Sequence, residues 1–567
     1  MNGKIKKLDV VDNYFRLLSI HIPLGVVIGL SIVLIHEIYL QLSELYEHYI
    51  HEYRVLLVFF PVLALVLAYF LVTKATGSKT TGGGSHRLLE VYHYEGGKMS
   101  LRSTIFEPLA SAITIGLGGS AGFEGPSLLL GGGLGSYLGQ KLDLSTDELS
   151  TILICGAAAG VSAIFKAPLT GIMFALEIPY QRDIYREAFI PATLSSISSY
   201  IIAVTLMGNE SIFPLLPGLE LNSMISLHAI AIGLLAGLLS ILFVTFNEKI
   251  KLVKQNLNIN GYLLALLGGL SIGVISYFFP QVAGTGYETI NEMLTGQIHE
   301  PITWVLALLV FKIVVTVLTL NAGGSGGVFV PTLFVGAALG LLYTNIVPNS
   351  GGIFIIVAAM AAMISASNKT LLTSVALVAE TTGPSSLAYT LLAAVTSYFI
   401  SGTTSFYGHV QPEKELLEEE EALHVIYHHI EREHPELLHD IKVKDLIGGV
   451  SLTLYADMSC REALNIVSEY PFSEYPVVSG DILVGSITLE DILVNIENDM
   501  KKLDELTSKP FTASRDDSLR SLIESLSEGE YDCIFVVDEI ESMKYIGFIS
   551  ETDIRLKLLE LFKHTIN

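Results

Sequence analysis

The stretch SAGFEGPSLLLGGGLG, residues 120–135, places glycines, one proline and a single carboxylate, Glu124, inside a strongly apolar part of the chain. The whole chain has 51% hydrophobic and only 16% charged residues, outside the usual range of soluble proteins. Apolar runs at residues 22–35 and 55–72 approach the roughly 20 residues that cross a bilayer. The sequence therefore predicts an integral, multi-pass membrane protein in which a helix is broken at residues 120–135.

A second block matches the first one. SGGVFVPTLFVGAALG, residues 325–340, aligns with residues 120–135 without gaps at an offset of 205, with seven of sixteen positions identical. KAPLTGIMFALE, residues 166–177, aligns with KTLLTSVALVAE, residues 369–380, at an offset of 203. The repeat predicts two related halves, and paired interrupted segments are typical of transporters whose site lies near the midplane.

The interruptions have a chemical consequence. A helix that begins inside the membrane leaves its first amide groups without intrahelical partners and carries a partial positive charge there. Gly122 and Gly125 in one block, and Gly326 and Gly327 in the other, would let the backbone approach an ion and adopt positive φ. The pattern predicts an anion site. The alternative, glycines that only allow close helix packing, does not explain a proline at the same position of both blocks.

Glu124 lies at the first of these breaks. A carboxylate at membrane depth costs at least about 2.5–3.5 kcal/mol at a helix centre on insertion scales, so it predicts a functional site. Placed at a helix start, it can occupy the position of a permeating anion and leave on protonation or displacement. We interpret Glu124 as a gate. The alternative is a glutamate that caps a helix at the lipid headgroup boundary.

The motifs GFEGP (residues 122–126), GGVFVP (326–331) and SFYGHVQP (405–412) resemble those of the CLC family of chloride channels and chloride/proton exchangers. The resemblance covers residues from about 15 to 412. It implies an all-α polytopic membrane domain, assigned to residues 1–412, with two inverted-topology halves and broken helices. It also implies chloride transport, a homodimer in the lipid bilayer with one pore per subunit, and cytoplasmic N- and C-termini.

The resemblance also implies roles for particular residues. Glu124 corresponds to the gating glutamate of the family, the Val328 and Phe329 amides to part of the central anion site, and Tyr407 to an inner tyrosine that contacts the ion. The anion-binding candidates are Gly122, Phe123, Gly125, Gly83, Val328, Phe329, Val330 and Tyr407.

Two departures from the family pattern bear on function. The serine-bearing loop GSGIP corresponds to GGGSH, residues 82–86, with Gly83 in place of the serine, so that Ser85 or backbone amides would have to compensate. In FALEIPY, residues 174–180, Glu177 matches the first of two consecutive glutamates and Ile178 replaces the second, which resembles an internal proton relay. This favours a gated, passive chloride channel. The alternative is a chloride/proton antiporter, and the preference among anions stays open.

The C-terminal part has soluble character. Residues 411–567 hold 34 acidic and 14 basic residues, a net charge of −20, which argues against nucleic-acid binding. Residues 413–440 are predicted to form an acidic, solvated helical linker, in which His424 and His428 could share a helix face as metal ligands; a histidine-rich connector is the alternative. We expect no metal site, and the three cysteines show no paired spacing.

Beyond the linker, GSITLEDI (residues 485–492) and GFISETDI (547–554) repeat one strand-to-helix pattern. They resemble a pair of CBS domains, an α/β fold, assigned to residues 441–500 and 501–567. No cofactor is required, but such pairs often bind adenine nucleotides, and the candidate ligands are Thr488 with Asp491 and Ser550 with Asp553. Ordinary helix capping by the same residues is the alternative.

The sequence disfavours two other classes of function. A divalent-cation channel would need carboxylate or carbonyl oxygens in the pore, whereas inward helix starts repel cations. The chain contains no HExxH motif, and an enzyme with catalytic residues is not expected.

Overall fold

The computed structural model describes residues 2–566 except 79–81, 219–221, 258, 415–425, 428, 433, 448–451, 469–471, 473, 497–500 and 527–532. The chain forms two compact units, Met1–Glu415 and Leu416–Asn567. Each unit is described by itself.

The first unit is helical. In its described residues, helices α1 to α16 run in the following order: α1 Asn2–Glu52, α2 Leu56–Thr76, α3 Gly84–Tyr94, α4 Leu101–Gly116, α5 Glu124–Lys141, α6 Thr146–Phe165, α7 Pro168–Glu177, α8 Phe189–Met207, α9 Ser223–Leu257, α10 Gly261–Phe278, α11 Tyr287–Leu294, α12 Ile302–Asn321, α13 Phe329–Ile346, α14 Ile353–Asn368, α15 Leu371–Thr382 and α16 Leu387–Ile400.

Helix length separates two classes. Among the described residues, eight helices are long and apolar enough to cross a membrane. Helices α7 and α15 have only 10 and 12 residues, too few for the roughly 20 that a span requires. Because long and short helices are mixed along the first unit, the predicted multi-pass fold with broken helices is confirmed.

The two halves are joined by reciprocal hydrogen bonds. The Ser120 amide donates to the Thr319 hydroxyl at 3.1 Å, and the Ser325 amide donates to the Thr114 hydroxyl at 3.0 Å. Both acceptors and both donors are related by the 205-residue offset of the sequence repeat. The hydrogen bond from the first half to the second is therefore equivalent to the one from the second half to the first. Elements related by a local two-fold axis make such reciprocal contacts.

A short backbone bridge lies at the centre of this arrangement. The Gly122 amide donates to the Gly327 carbonyl at 2.9 Å, and the Gly327 amide donates to the Gly122 carbonyl at 2.8 Å. The bridge is antiparallel, so the chain runs in opposite directions through the two blocks. Opposed directions are those expected of inverted halves, and the bridge brings the starts of α5 and α13 together.

The second unit is an α/β structure, as predicted. Its elements within the described residues are α17 Pro435–Asp440, β1 Leu454–Tyr455, α18 Cys460–Val467, β2 Glu474–Ser479, β3 Ile482–Thr488, α19 Leu489–Val494, β4 Thr512–Ser514, α20 Leu519–Leu526, β5 Cys533–Val537, β6 Tyr545–Ser550 and α21 Glu551–Ile566. The sheets have the orders β1-β2-β3 and β4-β5-β6. In each, the first pair is parallel and the second antiparallel, so the tail contains the same module twice.

The acidic connector contributes apolar side chains to the core of the second unit. Ile430 and Leu438 are fully buried and pack with residues of the second module such as Leu519 and Ile534. The chain divides after Glu415, so the part predicted as a separate linker at residues 413–440 belongs largely to the second unit. Apolar side chains inside the charged run cover the module, which a reading of net charge overlooks. His424 and His428 lie outside the described residues.

Candidate anion site and gate

The site is built where α5 and α13 begin, just after the glycine bridge. Glu124 is the first residue of α5, and Phe329 is the first residue of α13. No side chain of Phe123 or Val328, the residues that precede them, caps either helix. The first amide groups of both helices therefore depend on other partners.

The Glu124 side chain supplies one such partner across the repeat. Its Oε1 accepts a hydrogen bond from the Phe329 amide at 2.6 Å, and the Val330 amide lies close to the carboxylate. Its Oε2 has no hydrogen-bond partner among the described residues. The residue is 0% exposed, which does not fit a cap at a headgroup boundary. The carboxylate thus occupies the position at the α13 start where an anion is predicted to bind.

Glycines make this position accessible. A methyl group at Gly122 would lie 2.1 Å from Glu124 Oε2, and one at Gly327 would lie 1.9 Å from Glu124 Oε1. Of the four glycines predicted to adopt positive φ, only Gly326 does, at 152°. Gly122, Gly125 and Gly327 instead allow close approach, since a side chain on either bridge glycine would fill the space of the carboxylate.

Aromatic rings surround the two helix starts. The Phe329 ring contacts Phe165 and Phe174 with centroid distances of 5.7 and 5.1 Å. The Phe123 ring meets Tyr39 edge to face at 4.7 Å. Because Glu124 is fully buried, its charge is weakly screened and interacts more strongly with the α13 amide.

The remaining anion-binding candidates converge from other elements. Gly83 precedes α3 and provides no side-chain cap, and a methyl group on it would lie 3.3 Å from the Gly326 carbonyl oxygen. Tyr407 is 4% exposed, and its phenol lies beside Ser85, near enough to Glu124 to interact with its charge. Gly83, Ser85 and Tyr407 thus approach the two helix starts from outside the repeat.

Glu177 has a structural role that the sequence reading missed. Its carboxylate accepts from the Leu372 and Thr373 amides at 2.8 and 2.7 Å and from the Thr373 hydroxyl at 2.6 Å. It therefore caps the start of α15. A carboxylate held by three donors is poorly placed to pass a proton onward.

Glu380 makes the equivalent contact in the opposite direction, from α15 to the start of α7. It accepts from the Leu169 and Thr170 amides at 3.0 and 2.7 Å and from the Thr170 hydroxyl at 2.7 Å, and so caps α7. Glu177 and Glu380 end the two aligned sequence blocks, and this shared position was the signal that could have revealed the pair.

Ile178, the position that lacks the second glutamate, is fully buried. Its carbonyl accepts from the Gln411 side chain at 2.9 Å, and Gln411 accepts from the Ser405 hydroxyl at 2.9 Å. The same hydroxyl accepts from the Tyr407 amide at 3.1 Å. Gln411 thus ties the end of α7 to the segment that carries Tyr407, a link that sequence reasoning did not find.

In the second unit, the four nucleotide candidates bond within their own pairs. Thr488 Oγ1 donates to Asp491 Oδ2 at 2.7 Å, and Ser550 Oγ donates to Asp553 Oδ2 at 2.6 Å. The Asp491 and Asp553 amides donate back to these hydroxyls. This is the geometry of helix capping, the alternative weighed from the sequence. Within the described part of the chain, no group of three or more metal-ligating side chains occurs.

Family models and a known relative match this chain. The family model described as voltage gated chloride channel matches residues 64–402, and the CBS domain model matches residues 440–498 and 503–560. A ClcB-like chloride channel protein from Ralstonia nicotianae is 29% identical over 334 residues, which cover 57% of this chain and 77% of that protein.

Two solved structures have a similar fold. A CLC-type fluoride/proton antiporter matches with a TM-score of 0.63 and 24% identity, over 71% of this chain and 98% of its own. A eukaryotic CLC transporter matches with a TM-score of 0.62 and 19% identity, over 95% of this chain and 98% of its own. At these identities, the likeness establishes the fold alone.

Proposed function

Because the chain belongs to the CLC family of voltage-gated chloride channels, we propose that it carries chloride across the membrane through a pore gated by Glu124. The observation that carries this proposal is the buried hydrogen bond from the Phe329 amide to the Glu124 carboxylate, at 2.6 Å. The carboxylate takes the place where the start of α13 would otherwise bind an anion. Opening therefore requires Glu124 to leave, either on protonation or when an anion displaces it.

The balance of forces at Glu124 suits a gate. Its charge is fully buried, which is costly, and one of its two oxygens has no partner among the described residues. A proton removes the charge, and an incoming anion competes for the same positive helix end. Because the donors are backbone amides rather than basic side chains, an anion bound there can also be released, as conduction requires.

The test is anion flux into liposomes as a function of pH. Glu124→Gln keeps the size of the side chain but resembles the protonated state, so flux should become nearly independent of pH. Glu300→Gln, which removes an exposed carboxylate before α12, is the control and should keep the pH dependence of the unaltered protein. Steep pH dependence that persists in Glu124→Gln would contradict the gate. Reversal potentials in chloride and sodium gradients separate anion from cation conduction.

For the transport mode, we propose a gated channel with little obligatory proton countertransport. Ile178 cannot carry a proton, and the neighbouring carboxylate of Glu177 is engaged with the start of α15. The alternative is chloride/proton exchange. Proton uptake driven by a chloride gradient, at a fixed stoichiometry and in the same vesicles as the anion flux, would favour the exchanger and overturn the channel.

We also propose three properties on the strength of the family resemblance. The protein is a homodimer with one pore per subunit, its N- and C-termini are cytoplasmic, and its CBS pair binds an adenine nucleotide. Crosslinking in native membranes tests the first, and protease access to the termini in sealed vesicles tests the second. Calorimetry with ATP, ADP and AMP tests the third, with the capping bonds of Asp491 and Asp553 as the competing interaction.

A further inference from the structure

The Glu124 carboxylate is only half satisfied in the position where it lies. Its Oε1 accepts from the Phe329 amide at 2.6 Å, but its Oε2 is buried and has no hydrogen-bond partner among the described residues. Buried polar atoms in proteins are nearly always bonded, so an oxygen without a partner calls for an explanation. A carboxylate that moves between two positions can leave one oxygen unbonded in one of them. The second position then needs a donor of its own.

The Tyr287 phenol lies beside this carboxylate. Tyr287 is the first residue of α11, which packs against α13. Its hydroxyl group is near enough to Glu124 to interact with the charge of that residue, and it also lies near the Tyr39 phenol. The Tyr39 ring meets the ring of Phe123, the residue before Glu124, edge to face at 4.7 Å. Two neighbouring phenols therefore lie at the start of α5.

Lys312 fixes the segment that leads to Tyr287. It is fully buried on α12, and its Nζ donates to the Val282 and Gly284 carbonyls at 3.0 and 3.1 Å. The same ammonium group lies over the Phe334 ring of α13, 4.7 Å from the ring centroid. Because one side chain bonds to the segment and packs on α13, Tyr287 is held in a defined position relative to that helix.

The Tyr287 ring is held by contacts that do not involve its hydroxyl group. Gly286, the preceding residue, has a φ of 82°, and a methyl group on it would lie 2.5 Å from the Phe334 ring. The Tyr287 ring packs against the buried ring of Phe213, with a centroid distance of 5.9 Å. Substitution by phenylalanine therefore removes the hydroxyl group and leaves the packing of the ring intact.

We propose that the Tyr287 hydroxyl donates a hydrogen bond to the Glu124 carboxylate when an anion displaces it from the start of α13. This inference rests on the proposed function, because it requires Glu124 to leave its position. A charged carboxylate that gives up the Phe329 amide without a new donor would be buried and unbonded, which is costly. A protonated carboxyl group has no charge to stabilise. Tyr287 therefore supports opening by anion displacement and is dispensable for opening by protonation.

The experiment measures chloride flux from liposomes at neutral and at acidic pH, with the same pH on both sides. Tyr287→Phe should lower flux at neutral pH about tenfold, the size expected for one hydrogen bond to a charged group. At an acidic pH that protonates Glu124, its flux should equal that of the unaltered protein. Tyr46→Phe removes a buried phenol hydroxyl group on α1 that has no partner among the described residues, and it should leave both fluxes unchanged.

A second background tests whether the hydroxyl group acts on the carboxylate. The titratable groups that approach Glu124 are the phenols of Tyr287 and Tyr407, and Lys312 faces the segment before Tyr287. Because the side chain in Glu124→Gln carries no charge, adding Tyr287→Phe to it should change flux little at either pH. An equal loss of flux in both backgrounds would overturn the inference, since the hydroxyl group would then act on the anion or on the backbone.

The outcomes separate this inference from the function on which it rests. Absence of anion flux in the unaltered protein contradicts the proposed function. Unchanged flux of Tyr287→Phe at neutral pH, or an equal loss at both pH values, overturns only the role of Tyr287. If Tyr287→Phe does not fold, Tyr287→Leu also removes the hydroxyl group and should lose flux at neutral pH alone. An unchanged ratio of neutral to acidic flux in folded Tyr287→Leu overturns the inference.

Discussion

At the scale of single residues, the gate depends on two positions that carry no side chain. Gly122 and Gly327 pair through their backbones, and the Glu124 carboxylate lies in the space where their side chains would be. The sequence predicted that these glycines would let an ion approach the backbone and would adopt positive φ, but neither has a positive φ. Their role is to leave room for the Glu124 carboxylate, so this role can be tested by substitutions that keep Glu124 unchanged.

Gly327→Ala should open the gate partly. Its methyl group would lie 1.9 Å from Glu124 Oε1, so the carboxylate must move away from the Phe329 amide. Losing a hydrogen bond between an amide and a buried charge shifts the balance toward the open state by about tenfold or more. Anion flux at neutral pH should rise and its pH dependence should flatten, both measured in liposomes.

The matched control is the same substitution in a background without the carboxylate. Glu124→Ala removes the atoms that the methyl group would meet, so adding Gly327→Ala should change flux little beyond the tight contact with the Gly125 amide nitrogen, at 3.0 Å. Equal effects of Gly327→Ala in both backgrounds would show that the methyl group acts on the backbone rather than on the gate.

What the sequence could predict at this scale followed from local context. Glu124 stands out because a charge is rare at a glycine break in an apolar run. The role of Glu177 could not be read in the same way, because its partners Leu372 and Thr373 lie about 195 residues away and donate through their backbones. Backbone donors have no residue signature, so the sequence, which marked Glu177 only as a position on a candidate proton path, did not indicate the helix cap.

At the scale of helices, α7 and α15 stabilise each other reciprocally. Each is too short to span the membrane and each begins at a point where its amides need partners. The glutamate that ends or nearly ends one helix accepts from the start of the other, so both helix starts are satisfied within the protein. Placing carboxylates at two helix N-termini is also electrostatically favourable.

Glu177→Gln and Glu380→Gln should therefore destabilise the protein to a similar extent. A glutamine side chain has only one acceptor oxygen, so one of the hydrogen bonds from the backbone amides is lost. Its NH2 group then faces an amide N–H that is also a donor. The expected loss is about 1–3 kcal/mol for each variant. To measure the loss, the detergent-solubilised protein is heated and then reconstituted, and the anion flux that remains is compared with that of the unaltered protein.

The same pair of variants separates a structural role from a proton relay. If both glutamates are only helix caps, the two glutamine variants should have equally small effects on proton flux at temperatures at which the variant proteins are folded. A loss of proton flux in Glu177→Gln alone, with Glu380→Gln unaffected, would identify Glu177 as part of a proton path and count against the channel.

At the scale of the whole molecule, the sequence predicted the two halves because the repeat lies in the residues that meet at the centre. The 205-residue offset relates the bonded pairs Ser120–Thr319 and Thr114–Ser325, so the repeat reflects a physical contact. The short helices α7 and α15 fall below the length that hydropathy detects, and in the sequence they appeared only as the second pair of repeated segments.

The division of charge also predicted two units. Residues 411–567 carry a net charge of −20, which belongs outside the bilayer. The structure places the boundary later than the end of the family motif, because residues 412 and 413 still bond to the first unit. The Gln181 amide donates to the Pro412 carbonyl at 2.8 Å, and Arg182 pairs with Glu413 at 3.1 Å.

A chain that ends at Glu415 should therefore keep the transport activity and its pH dependence, because the gate, the caps and the contacts of Gln411 all lie within it. A chain that ends at Tyr407 is the matched control. It lacks Gln411, which bonds to the Ile178 carbonyl, and Glu413, which pairs with Arg182, so it should lose stability or flux. Liposome flux at several pH values compares both with the full chain.

The same truncation tests regulation by the second unit. If an adenine nucleotide bound to the CBS pair controls transport, millimolar ATP, ADP or AMP should change flux in the full chain and have no effect on the chain that ends at Glu415. An equal nucleotide effect in both chains would place the nucleotide on the membrane unit. No effect in either, together with no heat of binding, would leave the paired modules with a structural role, consistent with the capping bonds of Ser550 and Asp553.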